Sequence, residues 1–333
     1  MTKRTLDSHG NWSRRVVGRV VTGIAAGAWL LTSLAPVTAA QEDDPLSVVT
    51  SFSVLADIVR NVGGDQVEVS SLVPVGGDAH TFDPSPDQIA TLAEADLVVE
   101  VGNDFEPWLD DLVESSGTSA TRFEAFPEGH EHEGEHANAT PSDEHDHDQE
   151  GDDHDHADLH AWLNVHNTIH AVGHLAEVLA EIDPDHAGAY QANAESYTAE
   201  LESLDGYITE EAGTLPEDRR LLITTHNSFG AFADAYGFEV VGVLLESHST
   251  EGADASASHV AELTDIIDAK GIPAIFPDTP GGADMLRPVA DEAGIEVAPQ
   301  LYVDTLGEEG SGAETYIGMM RHNIDTIIAA LGG

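Results

Sequence analysis

Short apolar runs alternate with segments of helical periodicity in two separate stretches of this 333-residue chain. That alternation constrains the fold more than any other feature. A strand that pairs in parallel with the next one needs a crossover of a dozen or more residues, and a helix supplies it. In the first stretch, residues 46–51, 66–73, 96–101 and 121–126 read as strands, and 54–62, 86–93 and 105–113 as helices. In the second, residues 221–225, 239–245, 274–276 and 295–301 read as strands, alternating with helices over 229–236, 258–269, 284–292 and 313–331. The expected fold class is α/β, with two lobes that each hold a mostly parallel sheet flanked by helices.

What lies between the two series differs in kind. Residues 128–159 contain seven histidines and thirteen acids, and no bulky apolar residue precedes Leu159. Such a segment has nothing to bury and reads as an inserted low-complexity loop. Residues 167–181 then read as a helix. Pro184, a residue suited to a first helical turn, opens another that runs to about residue 212. A helix of that length spans ~40 Å and can serve as a strut. The expected division is residues 1–40 as a signal peptide, 41–183 as the N-terminal lobe, 184–213 as the linking helix and 214–333 as the C-terminal lobe. A ligand cleft between the lobes would lie beyond the carboxyl ends of the strands.

The signal-peptide reading rests on Arg14 and Arg15, the apolar run over residues 20–34 and the small residues Ala39 and Ala40. The run is short for a membrane span, so a retained N-terminal anchor is the lesser alternative. Ser13-Arg14-Arg15 also fits a twin-arginine export signal, although Gly18-Arg19 is an imperfect continuation. Cysteine is absent, which excludes disulfides, thiolate ligands and a lipidated N-terminal cysteine. The mature protein is expected in the periplasm or outside the cell, without direct membrane insertion, and as a monomer. Its formal charge of −50, with Lys3 and Lys270 as the only lysines, excludes nucleic acid as a partner. That charge fits adaptation to high salt or attraction for cations.

Four residues fall where a cleft would lie. His80 sits in Gly76-Gly77-Asp78-Ala79-His80, after the second strand, and His160 in Leu159-His160-Ala161-Trp162-Leu163, just past the histidine-rich loop. His226 ends a strand in Thr225-His226-Asn227-Ser228-Phe229, and Asp304 follows one in Tyr302-Val303-Asp304-Thr305. Three imidazoles and a carboxylate suit a tetrahedral zinc ion. Each of the four is isolated in sequence, so spacing alone does not assign them.

At these positions the chain resembles the solute-binding proteins of ABC importers for zinc and manganese, over nearly its whole mature length. The marks are the Gly-x-Asp-x-His loop at His80, the histidine-acid run before His160-Ala-Trp-Leu, the Thr-His-x-x-Phe-x-x-Phe-x-x-x-Tyr-Gly segment from Thr225 to Gly237, and the tail from Tyr302 through Tyr316 to Met319-Met320-x-x-Asn323. The resemblance implies a two-lobed clamp with a long backbone helix, metal ligands at His80, His160, His226 and Asp304, and an ABC permease as partner. A histidine in the third position is similar to the zinc branch and a glutamate to the manganese branch, in line with imidazole suiting zinc and oxygen donors manganese. Two departures bear on surrounding detail. Ala255-Ser256 stands where the family commonly has Pro-Ser, and Asp278 where it commonly has Glu.

The implied function is capture of zinc (the transported ion) and its delivery to the membrane importer. Manganese or another divalent metal is the alternative within the family, and an extracellular zinc buffer or adhesin is a third reading. A zinc hydrolase is disfavoured because no general base is paired with the ligands in a His-Glu-x-x-His helix and four ligands close the shell. No catalytic residue is identified. His130, His132, His136, His145, His147, His154 and His156 recur as short His-x-His or His-x-x-x-His units suited to low-affinity metal binding. His166, His170 and His174 share a helix face and read as solvated. His186, His248, His259 and His322 have no constellation around them. Trp162 and Phe82, each two residues past a ligand, are expected to shield the metal from water.

Overall fold

A computed structural model describes residues 44–127, 159–245 and 256–332. The signal-peptide and histidine-rich-loop readings, and Ala255, lie outside these residues.

Four strands, β1 (Leu46–Thr50), β2 (Val67–Ser71), β3 (Leu97–Glu100) and β4 (Thr121–Glu124), form one sheet in the order β2-β1-β3-β4. All its pairings are parallel. The crossovers are α1 (Ser53–Gly63), α2 (Pro86–Ala93) and α3 (Leu109–Ser116). Successive residues feed opposite faces: Val48 and Val99 enter the large central core, and Val49 and Val98 a smaller one with Leu72, Leu92 and Leu112. A sheet buried on both sides is what βα alternation entails. The second series supplies β5 (Leu221–Thr224) paired in parallel with β6 (Glu239–Val243), and β7 (Ala274–Ile275) paired in parallel with β8 (Glu296–Val297). A single parallel bridge from Thr224 to Phe276 connects the two pairs. Helices α6 (Gly230–Tyr236), α7 (Ala257–Lys270), α8 (Gly282–Ala293) and α9 (Tyr316–Leu331) belong to this series.

Between the two series run α4 (Val165–Ile182) and α5 (Ala187–Ala212), with a short 3-10 turn, Pro184–His186, before α5. The 26 residues of α5 make a rod of ~39 Å. Its buried residues, Tyr190, Ala194, Tyr197, Leu201, Leu204, Ile208 and Ala212, recur every three or four positions as one stripe. The stripe enters the same core as Val172 of α4, Ile324 of α9, Phe229 and Phe276. One continuous apolar core therefore runs from the first sheet through the helical layer to the second series. A charge at Leu204 would interrupt it, since burying an unpaired carboxylate costs several kcal/mol.

Three expected elements differ. The helix expected from residue 105 begins at Leu109, because Gly102, Asn103 and Asp104 all take left-handed backbone conformations and turn the chain first. The strand expected over 295–301 keeps only Glu296–Val297, as Pro299 cannot donate to a ladder. The last helix starts at Tyr316 and not at residue 313. Thr315 caps it, its hydroxyl accepting from the Gly318 amide.

Candidate metal centre

Each of the four singled-out residues follows a strand or enters a turn. His80 sits in the loop after β2, where Asp78 Oδ1 accepts from the backbone amides of His80 (2.9 Å) and Thr81 (3.3 Å). His160 precedes the 3-10 turn Ala161–Leu163 that leads into α4. His226 follows β5, its carbonyl accepting from Thr224 Oγ1 at 2.8 Å. Asp304 lies between β8 and α9. The structure brings all four into one buried cluster, with one donor atom from each within 4.8 Å of the others.

The separations are tighter where individually resolved. His226 Nε2 lies 3.3 Å from His160 Nε2 and 3.4 Å from Asp304 Oδ2. Asp304 Oδ1 lies 3.3 Å from His160 Nε2, and Asp304 Oδ2 3.5 Å from His80 Nε2. His80 Nε2 and Asp304 Oδ1 are buried with no well-formed hydrogen bond among the described residues. Converging buried polar atoms normally find hydrogen-bond partners, so atoms left this way fit an ion between them. Separations of 3.3 to 3.5 Å fit donors ~2.0–2.2 Å from a shared ion, the normal zinc–nitrogen and zinc–oxygen range. Both carboxylate oxygens face the imidazoles.

Behind His226 lies Asp278, 3 % exposed, with its Oδ2 at 3.1 Å from His226 Nδ1 and accepting from Ser228 Oγ at 2.7 Å. A carboxylate on the remote nitrogen fixes the ring and leaves Nε2 to face the cluster. Burial disfavours the His226 imidazolium, but the carboxylates of Asp278 and Asp304 outweigh it and raise its pKa to about 10. Burial likewise opposes the Asp304 carboxylate, and His160, His226 and His80 more than compensate, holding it well below the usual range. In the metal-free centre His226 is thus a cation between two carboxylates.

The cluster is walled by rings. Phe105 packs on His80 (centroids 4.6 Å apart) and His160 (5.6 Å), and the fully buried Trp162 packs on His160 at 5.3 Å. Trp162 matches its expected shielding place. Phe82 packs instead on Trp108 at 5.0 Å, and the Trp108 indole donates to Ala79 O at 2.7 Å, so this pair braces the His80 loop. Phe105 takes the shielding place expected of Phe82. Its role escaped the sequence because the left-handed turn at residues 102–104 aims it inward. Asp278 was visible only as a departure from a family pattern, with nothing in its neighbourhood to reveal its partner.

The Asp304 segment is tied to the first half of the chain on both sides. Trp162 Nε1 donates to Val303 O (3.1 Å), Gly76 N to Thr305 Oγ1 (2.7 Å) and Leu306 N to Ser53 Oγ (3.0 Å). Other histidines serve local structure: His186 bonds Asp183, His259 the Val243 carbonyl and His322 the Gln300 carbonyl. His166, His170 and His174 lie exposed on α4, apart from the buried four.

Comparison with known proteins agrees with this architecture. Residues 48–330 match the family described as zinc-uptake complex component A, periplasmic, or ZnuA. The manganese-binding lipoprotein MntA of Halalkalibacterium halodurans is 34% identical over 314 residues, covering 94% of this chain and 96% of the relative. MntA of Bacillus subtilis is 32% identical, covering 87% and 90%. Among solved structures, the periplasmic zinc-binding protein TroA of Treponema pallidum superposes with a TM-score of 0.74 at 28% identity, over 87% of this chain and 99% of that one. That likeness carries the two-lobed α/β fold with its long connecting helix. The chain belongs to the ZnuA family of metal-binding substrate-binding proteins of ABC transporters.

Proposed function

We propose that this protein captures zinc outside the cytoplasm through His80, His160, His226 and Asp304 and delivers it to an ABC permease. The donor set carries the reading: three imidazole nitrogens and one carboxylate converge in one buried cluster, with the His226–His160 separation and the Asp304–histidine separations at 3.3 to 3.5 Å. Tetrahedral nitrogen-rich sites suit zinc, whereas manganese prefers more oxygen donors and higher coordination. The seven histidines between residues 128 and 159 add imidazole in the same chain. Residues 1–40 are taken as the export signal, 41–183 and 214–333 as the lobes and 184–213 as the link. No described helix is long and apolar enough to cross a membrane. The relatives above are named lipoproteins, but this chain has no cysteine to carry a lipid.

Manganese is the second reading. It is favoured by both Asp304 oxygens facing the imidazoles, which makes a fifth donor available, and by the names of the relatives. Competition calorimetry on metal-stripped protein separates the two. The expected result is one tight zinc, at least ~100-fold preferred over manganese, a preference lost with His226→Ala. Equal or tighter manganese binding overturns the zinc reading, and unchanged affinity in His226→Ala overturns the ligand set.

A further inference from the structure

We infer that His166 and His170, on the exposed face of α4, form a second divalent-metal site outside the cleft, a two-imidazole chelate for zinc and other nitrogen-seeking ions. The residues stand four apart, so the helix places them one above the other. Sequence spacing alone does not bring the ring nitrogens together, because the rotamers decide that. Here the two Nε2 atoms lie 3.1 Å apart, with ring centroids separated by 4.6 Å and planes at 85°. The rings are not stacked, and both Nε2 atoms reach the same spot. Two nitrogens at that separation subtend ~100° at an ion ~2.0–2.1 Å from each, between the octahedral and tetrahedral angles.

The scaffold is ordered before any ion arrives. Val165, Thr168 and Val172 are buried on the opposite side of α4, and the Asn164 side chain accepts from the His166 amide at the helix start. Little backbone entropy remains to be lost on binding. Without metal, one neutral ring can donate a hydrogen bond to the other, and an ion would take the place of that shared proton. His174 shares the face, but its Nδ1 lies 3.6 Å from Glu177 Oε2, and it is not a member of the pair.

Several features set the strength. The pair itself supplies two donors, so the ion stays exchangeable. His166 lies in the first turn of α4, where the helix dipole disfavours a cation. The chain's charge of −50 attracts cations in general. Bis-imidazole coordination follows the order copper(II) above nickel and zinc, with manganese and magnesium far weaker. Exposure of all three histidines fits the solvated face expected from sequence, and the convergence of two of them is what the structure adds.

The test uses the full chain with its cleft filled by one equivalent of zinc. Further zinc is followed through the histidine Hε1 and Cε1 resonances, assigned with His166→Asn and His170→Asn. Under the proposal, the signals of His166 and His170 move together with one midpoint. His170→Asn raises the midpoint seen at His166 at least ~10-fold, because the second donor no longer acts intramolecularly. His174→Asn leaves it unchanged, and manganese gives no saturable effect over the same range. Both helix positions are exposed, and circular dichroism checks that the variants stay folded. Unlinked midpoints, silence of both signals, or an unmoved midpoint in His170→Asn each refute the site. A wrong cleft assignment would appear separately, as failure of the first equivalent to bind tightly.

Discussion

Replacing Asp278 with asparagine should change how zinc binding depends on pH more than it changes the fold. In the metal-free centre the Asp278 and Asp304 carboxylates hold His226 protonated, with a pKa of about 10 against an ordinary value of 6.5. Its Nε2 faces Asp304 Oδ2 at 3.4 Å, so a metal entering the cluster must expel that proton. At pH 8 the imidazole is ~2 pH units below its pKa, so only ~1% of the centre is ready and apparent affinity lies ~100-fold under its limit. Zinc affinity should rise about tenfold per pH unit from pH 7 to 9, with about one proton released per ion. With asparagine at 278 the imidazolium loses its main carboxylate partner and its pKa falls. Proton release at pH 8 should then approach zero and the pH slope flatten. Loss of the carboxylate that orients and polarises the ring acts the other way, weakening the pH-independent affinity by ~10–100-fold. Calorimetry in buffers of different ionisation enthalpy measures the proton count directly. Wild-type protein that releases no proton at pH 8, or a variant with an unchanged slope, would refute the reasoning.

The same charge pattern predicts stability. A histidine whose folded pKa is raised contributes stability that is fully present below about pH 6.5 and lost as pH rises through about 10. Metal-free protein should therefore soften from pH 7 to 10 in urea titrations, and zinc should remove that dependence. Glu106 gives the opposite chemistry. Burial pushes its carboxyl up to about 7, above the usual 4.5, although the Val101 amide donates to it at 2.9 Å. Its ionisation costs stability as pH rises from about 4.5 to 7. Glu106→Gln keeps an acceptor and removes the charge, so it should gain up to ~3 kcal/mol on wild type between pH 4.5 and 8, read by urea unfolding. Phe105→Ala removes the ring against His80 and His160, should cost ~3–5 kcal/mol and should speed zinc dissociation in stopped-flow chelator competition. Deleting residues 130–156 should leave one tight zinc and the weak equivalent at His166 and His170 while removing the other weak equivalents; loss of the tight site would mean that the segment supplies a principal ligand.

The fold was largely legible because its elements are locally specified. Pro86–Ala93 coincides with its expected helix, since Ser85 and Gln88 form a capping box and Pro86 occupies the first turn. The α5 stripe is likewise a periodicity readable in the chain. The exceptions are places where a few residues override the pattern: the left-handed turn at Gly102, Asn103 and Asp104 postpones α3, and Pro299 shortens β8. The four clustered residues stand out in sequence only through the family's motifs, each being a lone residue after a strand or at the entry to a turn. Nothing in a one-dimensional pattern states that Asp278 reaches His226 or that Phe105 covers His80, because the first contact joins the ends of two different strands and the second depends on a turn.

The Asp304 segment joins these levels. Asp304 belongs in sequence to the second βα series, yet Val303, Thr305 and Leu306 are bonded to Trp162, Gly76 and Ser53 of the first half of the chain. Opening the two halves at this point would break three hydrogen bonds and disturb the continuous core that α4, α5 and α9 share with both series. Each such bond is worth ~1 kcal/mol net, and more if its partners stay buried and unsatisfied. The metal-free centre also has its own cohesion, since the His226 cation sits between Asp278 and Asp304. The arrangement therefore favours a clamp whose halves stay joined at this point, and a metal ion entering the centre would replace a proton. Such a clamp must also let its cargo go. Protonation of His226 supplies an opposing tendency already built into the centre, because whatever returns a proton to Nε2 removes one of the four donors.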